Sequence, residues 1–206
     1  MDILYEDNHL LVVNKPAGQL VQGDQTGRST LLDEAKAWLK EKYNKPGKVF
    51  LGLVHRLDRD TSGVMVFALT PHAQRHLGLQ FEKRMTKKTY VARVEGILEP
   101  RTGTVDLPLI VDWENRPRQM VCHETGRAAQ TDWKVQRYGE NETRVRLMPK
   151  TGRSHQLRVH MLSLGHAILG DPLYATGAAR DFPRLMLHAE SLRLRDIESG
   201  KSVTFS

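Results

Sequence analysis

The sequence predicts an α+β protein organised around a mixed, mostly antiparallel sheet. Three observations carry that prediction. Short segments of alternating or continuous apolar character recur from residue 2 to residue 205, which is strand patterning. Only three stretches place apolar residues at helical spacing. From residue 103 onward the strand-like segments follow one another with almost no helix between them, so they pair as hairpins and not as repeated βαβ units.

Taken in order, residues 2–6 and 9–14 read as short strands around an Asp7-Asn8 turn, and Pro16 and Gly18 close the second. A polar, glycine-containing loop runs to about Arg28. Ser29 or Thr30 then caps a helix over 31–43, with Leu31, Leu32, Ala35, Trp38 and Leu39 on one face. That stripe assigns Trp38 to the core. Leu51 to Val54 and Val64 to Leu69 read as strands on either side of a polar turn. Pro71 opens a helix to about Arg84 on which Ala73, Leu77 and Phe81 recur every fourth residue. His72 and His76 share a helical face, but no Glu lies between them in the zinc-protease manner, so they read as exposed histidines and not as metal ligands.

The run Lys83-Arg84-Met85-Thr86-Lys87-Lys88 feeds a strand over 89–95 that carries Tyr90. Strands follow at 103–111, 118–123, 128–138 and 142–148. Lys150 to Ser154 form a turn that caps a helix over 155–164, ended by Gly165. His155 and His160 on that helix are assigned to packing or nucleic-acid contact. Ile168 to Tyr174 reads as a strand running into a turn, and residues 185–194 and 203–205 supply the last strands. No repeat, low-complexity segment or linker divides the chain, so one domain over 1–206 is expected.

Composition narrows the function. At 39% hydrophobic and 27% charged over 206 residues the chain is that of an ordinary globular protein. No apolar run reaches the roughly 18 residues of a membrane span, and Met1-Asp2 opens no signal peptide; a cytoplasmic protein that keeps away from membranes is expected. The single cysteine, Cys122, rules out an internal disulfide and argues against a cysteine-based zinc site. A net charge of +7 favours a polyanionic partner, nucleic acid ahead of membrane in the absence of a basic amphipathic helix.

The most informative stretch is Leu51 to Gly63. Its apolar lead-in, charged centre and apolar exit place Asp58 at a turn between Arg56 and Arg59, where flanking positive charge keeps a carboxylate ionised. His55-Arg56-Leu57-Asp58-Arg59-Asp60-Thr61-Ser62-Gly63 resembles the catalytic signature of the RluA-type pseudouridine synthases. The resemblance extends in order through Asn14 to Gly18, Lys88 to Val94, Thr151 to His160 with Gly165-His166, and Leu187 to Ala189, and so covers essentially the whole chain.

That resemblance implies a pseudouridine synthase fold, a bent sheet flanked by helices with a central cleft, and a cofactor-free isomerase acting on structured RNA. Asp58 takes the place of the catalytic aspartate, with Asp60 left to a turn role on Thr61 or Ser62. Tyr90 matches the active-site tyrosine, as a stacking platform and a candidate base. Arg153 matches the arginine that pairs with the aspartate, and Arg56 the one that fills the gap left by a flipped base. His55, Lys83, Arg84, Lys87 and Lys88 complete the expected RNA contacts. Segments 105–109 and 112–117 resemble the smaller members of the family, which implies a monomer without the N-terminal S4-like domain, acting on a 23S ribosomal RNA stem-loop and on tRNA anticodon stem-loops. Two other readings stay open at this point: a metal-dependent nuclease using Asp58, Asp60 and His55, and a basic RNA-binding module without catalysis.

Overall fold

The continuous apolar runs Leu10 to Val13 and Val64 to Ala68 are explained at once by where they lie. Strand β2 (Leu10–Lys15) pairs antiparallel with β4 (Ser62–Ala68), from Leu10 opposite Ala68 to Lys15 opposite Gly63, and β4 is buried along its whole length. A strand covered on both faces needs apolar residues at every position, not at alternate ones. The computed structural model describes all 206 residues, which sort into two compact units, Met1–Lys87 with Glu190–Ser206, and Lys88–Ala189. No helix in either is long and apolar enough to cross a membrane.

In the first unit β1 (Asp2–Glu6) flanks β2, and the two-residue β3 (Gly52–Leu53) pairs with β4. Helix α1 (Leu31–Lys42) starts on Thr30, whose hydroxyl oxygen accepts from Asp33 N–H while the Asp33 carboxylate accepts from Thr30 N–H. This reciprocal capping box selects Thr30 over Ser29. Trp38 is only half-buried and lies under the Lys42 ammonium at 4.8 Å, so it borders the core without entering it. Helix α2 (Pro71–Glu82) starts on Thr70 with Pro71 in its first turn, and presses Ala73 and Leu77 onto Leu10, Val12, Val64 and Val66. It ends at Glu82, two residues before the sequence-based boundary, as Arg84 turns into the left-handed region at φ 55°.

The second unit has the strand order β5 (Lys87–Glu95), β10 (Glu142–Pro149), β9 (Gln130–Tyr138), β6 (Thr102–Asp106), all antiparallel, with β7 (Leu109–Val111) and β8 (Gln119–Val121) forming a separate hairpin. The expected strand over 103–111 is thus two strands in two sheets. Trp133, Val145, Leu147, Leu157, Met161 and Ile168 form its core, with Tyr90 packed against the edge. Helix α3 (Gln156–Ser163) is buried on nearly every side. Strand β11 (Leu187–Arg195) begins in this unit and ends in the first, where it pairs with β12 (Ser202–Phe205).

One expected element is absent. Residues 168–174 form no strand; Ile168 makes a single bridge to Val94, Leu169 N–H donates to Arg93 O, and the chain turns at Gly170. The apolar run Ile168-Leu169 is buried in both cases, which is why the pattern alone did not distinguish a bridge from a strand. Gly170 has φ 76°, and a Cβ there would come within 1.8 Å of Arg184 O, so only glycine fits.

Candidate active-site residues

In the first unit the loop from His55 to Thr61 carries Asp58. Its neighbours on both sides are anchored. Leu57 is buried, and Thr61 N–H closes a turn onto Asp58 O at 3.1 Å. The His55 ring stacks on Phe81 at 4.6 Å, and its Nε2 accepts Val66 N–H at 3.1 Å, which fixes the neutral imidazole with its proton on Nδ1. Asp60 holds Arg59 through two bonds of 2.9 and 3.1 Å. Arg56 is exposed and Asp58 half-buried.

Lys15 is the residue that sequence reasoning passed over. It is completely buried, and its ammonium donates to Pro16 O, Gln19 O and Arg59 O at 2.7–2.8 Å, filling all three donor positions. Gly18 N–H adds a bond to the same Arg59 O at 2.9 Å. The Lys15-Pro16-Ala17-Gly18 segment is therefore a brace for the loop bearing Asp58. The signal was a lysine soon after the apolar run Leu10 to Val13, where a charge needs partners.

In the second unit Tyr90 and Lys88 point to one face of β5, two positions apart. Tyr90 is half-buried opposite Leu147. Lys88 is also half-buried, and burial lowers its ammonium below the ordinary lysine value. Lys83, Arg84 and Lys87 are exposed. The Thr151-Gly152-Arg153 turn is set by Gln156: its carbonyl oxygen accepts from Thr151 Oγ1 (2.7 Å) and Arg153 N–H (3.1 Å), and its amide donates to Gln130 O and Thr131 Oγ1 at 3.0 Å. Thr131 Oγ1 in turn donates to His160 Nδ1 (2.8 Å), and His160 Nε2–H to Leu107 O (3.0 Å). His160 is a packing residue whose burial pushes its pKa down, so it stays neutral. Arg153 directs Nε to Ala128 O at 3.0 Å.

Arg158 also escaped the sequence reading. On the buried helix α3 it pairs bidentately with the fully buried Asp171, Nε and Nη2 each at 2.8 Å, and covers the Tyr174 ring at 5.1 Å. Tyr174 Oη accepts Gln119 N–H and meets His155 Nδ1, both at 2.7 Å. An arginine between the apolar Leu157 and Val159 was the available clue.

The family model for RNA pseudouridylate synthase matches residues 9–163, which include the Asp58 loop, Tyr90 and the Arg153 turn. The chain belongs to the RNA pseudouridylate synthase family. The dual-specificity RNA pseudouridine synthase RluA of Escherichia coli strain K12 is 51% identical over 205 residues, covering 98% of this chain and 90% of that protein. Among solved structures, Human RNA Pseudouridylate Synthase Domain Containing 4 superposes with a TM-score of 0.82 at 27% identity, over 99% of this chain and 87% of that one. Human RNA Pseudouridylate Synthase Domain Containing 1 gives 0.82 at 28%, over 98% and 81%. The chain is thus an RNA pseudouridine synthase with the α+β fold that the sequence predicts. Neither the nuclease nor the non-catalytic reading finds support.

A pseudouridine synthase breaks the C1′–N1 bond of a uridine, turns the uracil and rejoins it through C5. Departure of the base develops positive charge at C1′, so a carboxylate is needed beside the sugar. The uracil must also leave the stack, which an aromatic face compensates. A half-buried acid on a braced turn and a half-buried tyrosine on a strand are the residue types that this reaction needs.

Proposed function

We propose that this synthase modifies uridines in two classes of structured RNA, a ribosomal RNA stem-loop and tRNA anticodon stem-loops, with Asp58 as the carboxylate that meets C1′. Asp58 attacks C1′ or assists loss of the C2′ proton, Tyr90 stacks on the extruded uracil and serves as base, and Arg153 orients the reacting carboxylate. Arg56 fills the gap in the RNA stack. Lys83, Arg84 and Lys87 hold phosphates, an attraction that weakens as salt rises. His55, already bonded to Val66 N–H and stacked on Phe81, supports the loop beneath Arg56 and contacts RNA at most through its Nδ1 side. The enzyme works as a cytoplasmic monomer.

The observation that carries the substrate reading is the 51% identity, nearly end to end, to a relative named as dual-specificity. A small protein that reads loop shape and deformability more than base edges accepts two unrelated RNAs with a similar loop. Isolated stem-loops of both classes, carrying C5-tritiated uridine, test it. Tritium release from both, lost when the loop is shuffled at constant stem, is expected. Release from one class alone removes dual specificity, and equal release from shuffled loops removes loop-directed selection.

A further inference from the structure

Lys88 does not behave like the rest of the basic run to which it belongs. Lys83, Arg84 and Lys87 are exposed, as suits contact with hydrated phosphates, whereas the Lys88 side chain is half-buried on the face of β5 that also carries Tyr90. Within its unit the ammonium makes neither a hydrogen bond nor an ion pair, and burial is the sole influence on its protonation; no acid offsets it. Its tip lies over Gly152, where a Cβ would approach Nζ to 3.2 Å. Gly152 does not have the positive φ that would require glycine for conformational reasons, and with no side chain there the ammonium sits directly over its backbone. Gly152 is itself exposed, so an incoming ligand can reach the place.

A partly desolvated cation whose donors no protein group takes is poised for an electron-rich ligand. Two positions along a strand separate side chains by about 7 Å, so a base stacked on Tyr90 lies within reach of an extended lysine. We propose that Lys88 is a catalytic residue of the synthase that donates a hydrogen bond to a uracil carbonyl oxygen while the base is detached from the sugar. The inference rests on the proposed role of Tyr90 as the uracil platform. When C1′–N1 breaks, the electron pair moves to N1 and spreads over O2 and O4; the positive charge left at C1′ is met by the Asp58 carboxylate or by loss of the C2′ proton. C5 then bonds to C1′, the C5 proton passes to the base, N1 takes up a proton, and any C2′ proton lost is returned. Every atom of the uridine is conserved. Lys88 transfers nothing and stabilises the negative charge on the uracil, as an oxyanion donor does in a site poor in water.

The test uses full-length Lys88→Met and Lys88→Gln with one stem-loop on which the wild type is active. Single-turnover pseudouridine formation at saturating RNA is expected to fall by about a hundredfold in Lys88→Met, as for loss of one oxyanion donor. Lys88→Gln, which keeps a neutral donor, is expected to lose less. RNA affinity and its salt dependence should match the wild type in both. A weakened affinity with a salt slope reduced by about one, at unchanged maximal rate, would make Lys88 a phosphate contact and overturn the proposal. Wild-type rate and affinity together would reduce it to packing and overturn it equally. Should neither variant fold, Lys88→Arg decides through the pH profile: the alkaline fall in rate must move to higher pH, because arginine does not deprotonate there, and an unmoved limb counts against the proposal. Absence of product from the wild type on any stem-loop would instead overturn the substrate reading, leaving the two failures distinct.

Discussion

Lys15 is fully buried and Lys88 half-buried, one in each unit, and their ammonium groups meet opposite conditions. Lys15 gives all three donors to backbone carbonyls of two loops. Lys88 is held against Gly152 with no acid or carbonyl to receive it within its unit. A buried cation whose donors are all engaged is a fastener; one whose donors are uncommitted is a place kept ready for a ligand. The same distinction sorts the other polar groups. Asp60 is engaged by Arg59, His55 by Val66 N–H and His160 by Leu107 O and Thr131, so each is read as support.

The acids give the largest expected effect. Asp58→Asn keeps the shape of the side chain and removes its charge, so turnover should drop by at least ~10³-fold, about 4 kcal/mol of barrier, with RNA affinity retained. Asp60→Asn gives up a largely exposed pairing with Arg59 and should keep most activity. An exchange of these two phenotypes in a tritium-release assay would assign the reacting carboxylate to Asp60. Tyr90→Phe comes next. It retains the stacking face and loses the hydroxyl, and turnover should fall by ~10²-fold or more if the hydroxyl is the base; a wild-type rate would leave Tyr90 as a platform alone.

How much of this was legible in the sequence depended on whether a residue's partners lie nearby along the chain. The Asp58 turn was readable, because two apolar runs and a Thr-Ser-Gly exit define strand, turn and strand locally. The starts of α1 and α2 were placed to the residue by Ser29-Thr30 and by Pro71. Lys15 was not readable as a brace, since one of its acceptors is a carbonyl 44 residues away, and a sequence does not say where carbonyls point. The Arg158–Asp171 pair was missed for the same reason. The misread strand over 168–174 failed differently: burial explains the apolar run, and burial does not specify pairing.

Smaller effects sharpen the contrast. Arg153→Lys loses both the planar fork and the Nε donor that meets Ala128 O, so activity should fall about tenfold, ~1.4 kcal/mol, in steady-state assays. Unchanged kinetics would place Arg153 outside the chemistry. Alanine at Lys83 or Lys87 should weaken RNA binding only severalfold and lower the slope of log affinity against log salt by about one each. A salt slope indifferent to both would mean that the exposed run does not meet phosphate.

The central claim, that the buried lysine holds the fold together while the half-buried one strains it, is tested most directly by urea unfolding of Lys15→Met and Lys88→Met beside the wild type. Lys15→Met takes the ammonium from Pro16 O and Gln19 O and leaves Arg59 O to Gly18 N–H alone, and should lose about 3 kcal/mol, a fall in Tm of roughly 6–12 °C; the Gly18 and Thr61 backbone bonds should keep the folded fraction active. Lys88 runs the other way. Its pKa is lower in the folded chain than in the unfolded one, so the penalty of holding it charged is complete at pH 7, below both values, and is relieved only as pH rises between them. Lys88→Met should therefore unfold at higher urea than the wild type at pH 7, and its advantage should shrink as pH rises into the lysine range. Opposite signs for the two variants are the predicted result. Destabilisation of both by similar amounts would contradict it and make Lys88 a second fastener.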